Sequence, residues 1–105
     1  MSARTTDYTN DAQQRIIKVM LVLFSDAVKG LSPTALAREV NCSPAVMTRD
    51  INNLLTAGIA EKVESTGMIR LTTRLPQQSI KVWTAIERAD RELQEAKNRF
   101  NRNPD

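Results

Sequence analysis

Residues 32–58, SPTALAREVNCSPAVMTRDINNLLTAG, decide the fold because they carry the same helix start signal twice. Ser32 and Ser43 each offer a hydroxyl at an N-cap position, and each is followed by proline at the first helical position, where its missing N–H costs nothing. Asn41 lies between them and tolerates the left-handed backbone that ends a helix sharply. The pattern predicts two short helices joined by a tight turn, as in a helix-turn-helix.

Both predicted helices carry apolar side chains at spacings of three or four residues. These side chains are Leu36, Ala37 and Val40 in the first helix and Met47, Ile51, Leu54 and Leu55 in the second. Two such stripes can close on one shared core. Ala45, Thr48, Arg49 and Asn52 of the second helix then face outward.

Composition limits the class of protein. The chain has 105 residues, 41% of them hydrophobic, which suits one small domain. It has no histidine and one cysteine, Cys42, so a histidine base, an internal disulfide and a zinc cluster are all excluded. The amino terminus is polar, and no apolar run is long enough to span a membrane. We expect a cytoplasmic protein, not an enzyme, with no metal, cofactor or membrane partner. Cys42 is expected to be a small buried apolar side chain, and the alternative for it is a redox sensor.

The segment before the motif predicts an arm and a helix. Residues 1–10 lack periodicity and predict a flexible arm. Asp11 opens an amphipathic helix that ends near Ser25. Its apolar stripe consists of Ile16, Val19, Met20, Leu23 and Phe24.

The segment after the motif predicts a hairpin and a long helix. Apolar and polar residues alternate over 59–73, with a turn at 66–67, which is typical of two short strands. Residues 76–101 predict a polar helix, followed by a tail over 102–105. The apolar stripe of that helix comprises Ile80, Trp83, Ile86, Ala89, Leu93, Ala96 and Phe100.

The order of these elements predicts the fold class. Three helices, a two-stranded wing and a further helix form the winged helix-turn-helix plan, a mainly α fold with a small β component. The three-helix core and the wing occupy residues 11–75, and the long C-terminal helix follows.

The run from Gly30 to Leu75 resembles the amino-terminal DNA-binding domain of the IclR family of bacterial transcription regulators. The shared features are the Gly-Leu-Ser opening, the Leu-Ala-Arg-Glu-Val segment, the second Ser-Pro, the Leu-x-x-Ala-Gly-Ile exit and the Glu-x-x-Gly-x-x-Arg-Leu-Thr wing. The resemblance implies transcription regulation through DNA binding. Asn41 and Cys42 depart from it, since that family usually has Gly and a larger apolar residue there. The family's effector-binding domain is missing after the linker, so we expect no small-molecule effector.

The predicted recognition helix, residues 44–57, would enter the major groove of double-stranded DNA. Arg49 can pair with guanine, and Asn52 can make two hydrogen bonds to adenine. Thr48 or Ala45 can touch a thymine methyl group. These four residues form the predicted reading face, although Asn52 could equally be a solvated side chain.

Arg49 also has possible roles other than base recognition. It could pair with Asp50 or Glu39, or contact a phosphate. The net charge of the chain is +3, yet residues 32–58 are neutral, since two arginines offset two acids. Phosphate attraction is therefore expected largely from flanking residues: Lys62, Thr66 and Arg70 of the wing, on the backbone or in the minor groove, and Arg74 after it. Within the motif, Ser32, Thr34 and Ser43 are further predicted backbone contacts, although capping alone would explain Ser32 and Ser43.

The stripe on the last helix is longer than a domain of this size needs for its core. We expect it to join two copies in a homodimer that is associated with the nucleoid when bound to DNA. The dimerisation residues would be Trp83, Ile86, Leu93 and Phe100. The alternative for Trp83 and Ile86 is that this half folds back on the first helix. A rival function is a winged helix that docks a protein partner and does not read DNA sequence.

Overall fold

The computed structural model of the chain describes residues 6–102. Within that range the chain forms α1 (Asp11–Leu23), α2 (Pro33–Val40), α3 (Pro44–Thr56), β1 (Ala60–Lys62), β2 (Ile69–Leu71) and α4 (Pro76–Asn101). The prediction of a mainly helical chain with a small two-stranded sheet and a long C-terminal helix is confirmed. The chain divides into two compact units, Met1–Thr72 and Thr73–Asp105, called here the first and the second unit.

Both serine start signals act as predicted. The Ser32 hydroxyl oxygen accepts a hydrogen bond from the Ala35 N–H at 3.1 Å, and the Ser43 oxygen accepts one from the Val46 N–H at 3.2 Å. Each bond satisfies a backbone donor that a helix leaves unpaired at its start. These caps fix the first residue of α2 and of α3.

The turn between α2 and α3 also has the predicted mechanism. Asn41 lies in the left-handed region with φ 53° and ψ 61°. The Cys42 N–H donates to the Ala37 carbonyl at 3.0 Å, which closes the end of α2. Cys42 itself is half-buried, so the prediction of a buried side chain is wrong: the next residue, Ser43, already begins the exposed start of α3.

The core of the first unit lies where α1, α2, α3 and the hairpin meet. The inward face predicted for α2 is confirmed, and that of α3 is confirmed for Met47, Ile51 and Leu54. Leu55 is only half-buried, because it lies at the edge of that face. The buried apolar side chains are Val19, Leu23, Leu36, Ala37, Val40, Met47, Ile51, Leu54, Ala60, Ile69 and Leu71. The prediction for α1 is partly wrong, since Phe24 keeps 45% of its surface exposed. The helix tightens into a 3-10 turn over Phe24–Asp26, which turns that side chain away from the core.

The hairpin is shorter than predicted, and its second strand also pairs with a residue outside the hairpin. Glu61 lies opposite Arg70, and each strand has three residues. Leu31, ahead of α2, forms a bridge to the other side of β2: its N–H donates to the Ile69 carbonyl at 2.8 Å, and the Ile69 N–H donates back at 2.9 Å. The segment between α1 and α2 is therefore fastened to the hairpin.

The second unit consists mainly of α4, a helix of 26 residues with no buried side chain. Ahead of α1, residues 6–10 have no regular structure and are exposed. The remainder of the predicted arm, residues 1–5, and of the tail, residues 103–105, lies outside the described residues. No helix within residues 6–102 is both long and apolar enough to cross a membrane.

Two glycines with similar backbone angles test how tightly the hairpin is fastened. A Cβ on Gly30 (φ +83°) would collide with the Ile69 carbonyl oxygen and lie 2.8 Å from its carbon, whereas a Cβ on Gly67 (φ +75°) would meet nothing within 4 Å. We expect Gly67→Ala to lower the free energy of unfolding by about 1 kcal/mol, the cost of a left-handed alanine. Gly30→Ala should cost about 3 kcal/mol or more, because the collision adds to that cost.

Urea denaturation of both variants measures the difference. Equal losses would contradict the close approach of Gly30 to β2.

Candidate nucleic-acid interface

The outward side of α3 carries the predicted reading residues. Ala45, Thr48, Arg49 and Asn52 are all exposed, while Met47, Asp50, Ile51 and Leu54 are buried on the opposite side. A helix of 13 residues is about 20 Å long, which is enough to lie in a major groove.

Arg49 has no ion-pair partner among the described residues. The two ion pairs in that part of the chain join Arg15 to Asp50 and Arg70 to Glu61. Neither of the alternative pairs considered for Arg49, with Asp50 or with Glu39, is formed. The guanidinium is therefore available to a ligand.

Asn52 and Thr48 differ in what they can still offer. The Asn52 amide makes no hydrogen bond within the described residues and keeps its donor and acceptor. The Thr48 hydroxyl donates to the Pro44 carbonyl at 2.9 Å, so its proton is engaged inside the helix. Thr48 retains a methyl group and an acceptor lone pair. This suits the apolar contact with a thymine methyl better than a donated hydrogen bond.

A concave surface connects α3 to the hairpin. It is lined by Pro33, Thr48, Ile51, Asn52, Leu55, Lys62 and Ile69. Lys62 of β1 thus lines the same surface as Thr48 and Asn52, although Lys62 and Asn52 are ten positions apart in sequence. The sequence predicts Lys62 as a wing contact to the backbone or the minor groove, and no sequence pattern indicates that it lies near Thr48 and Asn52.

The predicted backbone contacts are distributed over several elements. Thr34 is exposed in the first turn of α2, and Ser43 is exposed at the N-cap of α3. Ser32, at the N-cap of α2, is half-buried. Thr66 lies exposed at the hairpin tip, where its hydroxyl oxygen accepts from the Met68 N–H at 3.2 Å. Arg74 belongs to the second unit and is exposed.

Arg70 is already engaged by the protein. Its Nε donates to Glu61 Oε1 at 2.9 Å, and its Nη1 donates to the Val28 carbonyl at 3.2 Å. Arg70 would have to leave both partners to reach a phosphate. It braces the hairpin against the segment that follows α1.

The largest feature missed by sequence reasoning is the ion pair between α1 and α3. Arg15 Nε lies 2.6 Å from Asp50 Oδ2, and Nη2 lies 3.1 Å from Oδ1, so the pair is bidentate. Hydrogen bonding to Asp50 raises the pKa of Arg15 above its usual value. The sequence did hold a signal: Asp50 falls at helical spacing between the buried Met47 and Leu54. An acid at such a position needs a partner.

The predicted dimerisation residues are exposed in the second unit. Trp83 keeps 64% of its surface accessible, Ile86 51%, Leu93 53% and Phe100 80%. Near the end of α4, the Arg99 guanidinium lies 4.9 Å from the centroid of the Phe100 ring. Among residues 6–102, no group of three or more acidic, cysteine or histidine side chains could hold a metal ion.

Removing one partner of the Arg15–Asp50 pair should destabilise the protein unequally. The Asp50 side chain is 8% exposed and that of Arg15 is 22% exposed. Arg15→Met leaves a buried carboxylate without a cation, so we expect it to lower Tm by several degrees. Asp50→Leu should lower it less, because the freed arginine can reach water. The double variant should recover most of the loss, since no buried charge remains.

Thermal melts of the three variants test this order, and Arg38→Met, at an exposed arginine of α2, is the matched control. A double variant that loses the sum of both single losses would show that the two residues are not coupled.

No protein-family model matches the chain, and no curated protein and no solved structure matches it. The resemblance to the IclR family therefore stays a prediction. The function has to be argued from the residues of this chain.

Proposed function

We propose that this protein is a sequence-specific double-stranded DNA-binding transcription regulator with a winged helix-turn-helix fold, acting as a homodimer. In this proposal α3 is the recognition helix and the β1–β2 hairpin is the wing. The observation that carries it is the exposed row on α3, in which Arg49 and Asn52 have no partner among the described residues.

The chemistry of that row suits base recognition. Guanidinium groups pair with O6 and N7 of guanine, and carboxamides pair with N6 and N7 of adenine. Arg49 and Asn52 lie three residues apart, so they are neighbours on one helix face. Two neighbouring bidentate groups can read adjacent base pairs, with the Thr48 methyl group beside them.

The distribution of charge also supports DNA binding. Residues 32–58 are neutral in sequence, but Asp50 is buried and neutralised by Arg15. On the hairpin, Glu61 is paired with Arg70, while Lys62 has no ion pair within the described residues. Two acids near the proposed reading face are thus offset by arginines, and Arg49 and Lys62 remain to attract phosphate. Glu64, exposed near the hairpin tip, is the acid that opposes this.

The proposed backbone contacts come from the helix starts and the wing. The Ala45 N–H at the start of α3, beside Ser43, can bind a phosphate oxygen, and the Thr34 hydroxyl can do so on α2. Lys62 and Thr66 would lie along the adjacent backbone or the minor groove. Arg74 and the basic residues of α4 would add non-specific attraction.

A dimer would supply the affinity that one small module lacks, because two half-sites combine their contacts. The exposed stripe of α4 is the proposed joining surface, and control would come from protein concentration or from a partner protein. The single cysteine fits a reducing compartment, and we place the regulator in the cytoplasm.

Selection of bound duplexes from a random pool tests the proposal. We expect Arg49→Ala and Asn52→Ala each to lose about 1–3 kcal/mol of discrimination at one base pair. Lys62→Ala removes the same charge as Arg49→Ala, so it is the matched control. It should weaken binding to all sequences equally and reduce the salt dependence by about one phosphate contact.

The rival function is a protein-docking module, and one observation favours it. A second exposed apolar stripe, which sequence reasoning missed, runs along and beyond α1 through Ile17, Leu21, Phe24 and Val28. If no duplex binds at low salt and the Arg49 and Asn52 variants behave like the parent protein, the docking function replaces DNA reading. A duplex preference that Arg49→Ala removes excludes docking as the sole role.

A further inference from the structure

Six apolar residues of α4 follow the seven-residue repeat of a coiled coil. Val82 begins this seam, while Ile80 and Trp83 of the stripe defined above lie outside its layers. Apolar residues recur at alternating spacings of four and three: Val82, Ile86, Ala89, Leu93, Ala96 and Phe100. Val82, Ile86, Leu93 and Phe100 are each more than half exposed, at 58%, 51%, 53% and 80%. A repeat of 3.5 residues keeps one seam in contact along two left-handed supercoiled helices.

The charged residues beside this seam are segregated by sign along α4. Asp90 and Glu92 flank its middle, and Lys97 and Arg99 flank its end. None of these four makes an ion pair among the described residues. Glu92 and Lys97 lie five residues apart, which is too far round the helix for a pair within one chain. Five residues is, however, the offset between flanking positions that meet across two parallel helices.

We propose that α4 pairs in parallel with α4 of a second copy of this chain, with Glu92 of each helix bound to Lys97 of the partner subunit. This rests on the homodimer of the proposed function and specifies its orientation and register. Six apolar layers stack in register, and Trp83 lies at the edge of the first layers. The symmetric interface contains the charge pair twice.

Antiparallel pairing fits the same charges less well. The register that keeps all six layers sets Glu92 opposite Glu92 of the partner subunit and Asp90 opposite Asp90 of the partner subunit, which is repulsive. A shift by one heptad brings acids against bases but leaves Val82 and Ile86 outside the contact. Parallel pairing alone combines all six layers with an attractive flanking pair.

The orientation has a direct consequence for DNA binding. The first unit is joined to the amino end of α4 through residues 73–75. Parallel helices therefore attach both first units at one end of the coiled coil, where the spacing of two half-sites, about 35 Å, would be set by the first units and not by the length of α4. Antiparallel helices would tether them to opposite ends of a helix of 26 residues, about 39 Å long.

A charge exchange tests the pairing in the full chain without DNA. Glu92→Lys and Lys97→Glu each turn two attractive pairs into two repulsive ones, so sedimentation should show each variant raising the dimer dissociation constant about tenfold. The double variant restores opposite charges across parallel helices and should return the constant to within about twofold of the parent value. Glu95→Lys carries the same charge change on the outer side of α4 and should leave the constant unchanged.

The double variant separates the orientations. In either antiparallel register it keeps like charges opposed, so failure of the double variant to recover would overturn the parallel arrangement. A parent protein that stays monomeric at tens of micromolar would overturn the dimer itself.

A disulfide provides an independent readout. In a Cys42→Ser background, Ile86→Cys places two thiols at one layer of the parallel dimer, and oxidation should link the copies. In the full antiparallel register the two thiols would be about 15 Å apart along the helix, beyond the reach of a disulfide. Absence of the link in a dimeric sample would contradict the proposal.

These outcomes are separate from those of the DNA experiment. Sedimentation and cross-linking need no duplex, and the loss of base preference in Arg49→Ala needs no dimer. A monomer that still prefers particular DNA sequences would contradict the coiled coil and leave the DNA-binding proposal intact. A parallel dimer without duplex affinity would do the reverse.

Discussion

The tight turn between α2 and α3 is the constraint on which the rest of the first unit depends. Asn41 ends α2 in a left-handed conformation, and Ser43 caps α3 two residues later. With so few residues between the helices, their relative direction has little freedom. The buried side of α3 is then set by Met47, Ile51 and Leu54, and its opposite side is left for a ligand.

The Arg15–Asp50 pair adds a second constraint on α3. Hydrophobic burial alone allows a helix to turn slightly about its axis, whereas a bidentate ion pair has a narrow geometry. Such pairs contribute little net stability after the cost of removing both charges from water. The Arg15–Asp50 pair instead fixes the position of α3, because it joins the middle of α3 to α1. It also keeps the Asp50 carboxylate away from Arg49 and Asn52.

Local signals explain what the sequence could predict. The serine caps, the left-handed Asn41 and the inward faces of α2 and α3 all depend on residues within about four positions of each other. The exposure of Thr48, Arg49 and Asn52 follows from the same helical period.

The missed features depend on distant partners. Arg15 and Asp50 are 35 residues apart, and Arg70 reaches Val28 across 42 residues. The bridge of Leu31 to Ile69 involves a single residue on one side, so no alternation marks it. The prediction that Phe24 lies on the core-facing stripe is wrong because α1 ends in a 3-10 turn. A 3-10 turn has three residues per turn instead of 3.6, so it directs side chains differently.

The Leu31 bridge also affects how this protein behaves when crowded. It occupies the outer side of β2 at Ile69, so the open edge of the small sheet is β1, only three residues long and carrying Glu61 and Lys62. A short charged edge is a poor template for another strand. We therefore expect copies of the chain at high concentration to have little tendency to extend one another's sheets.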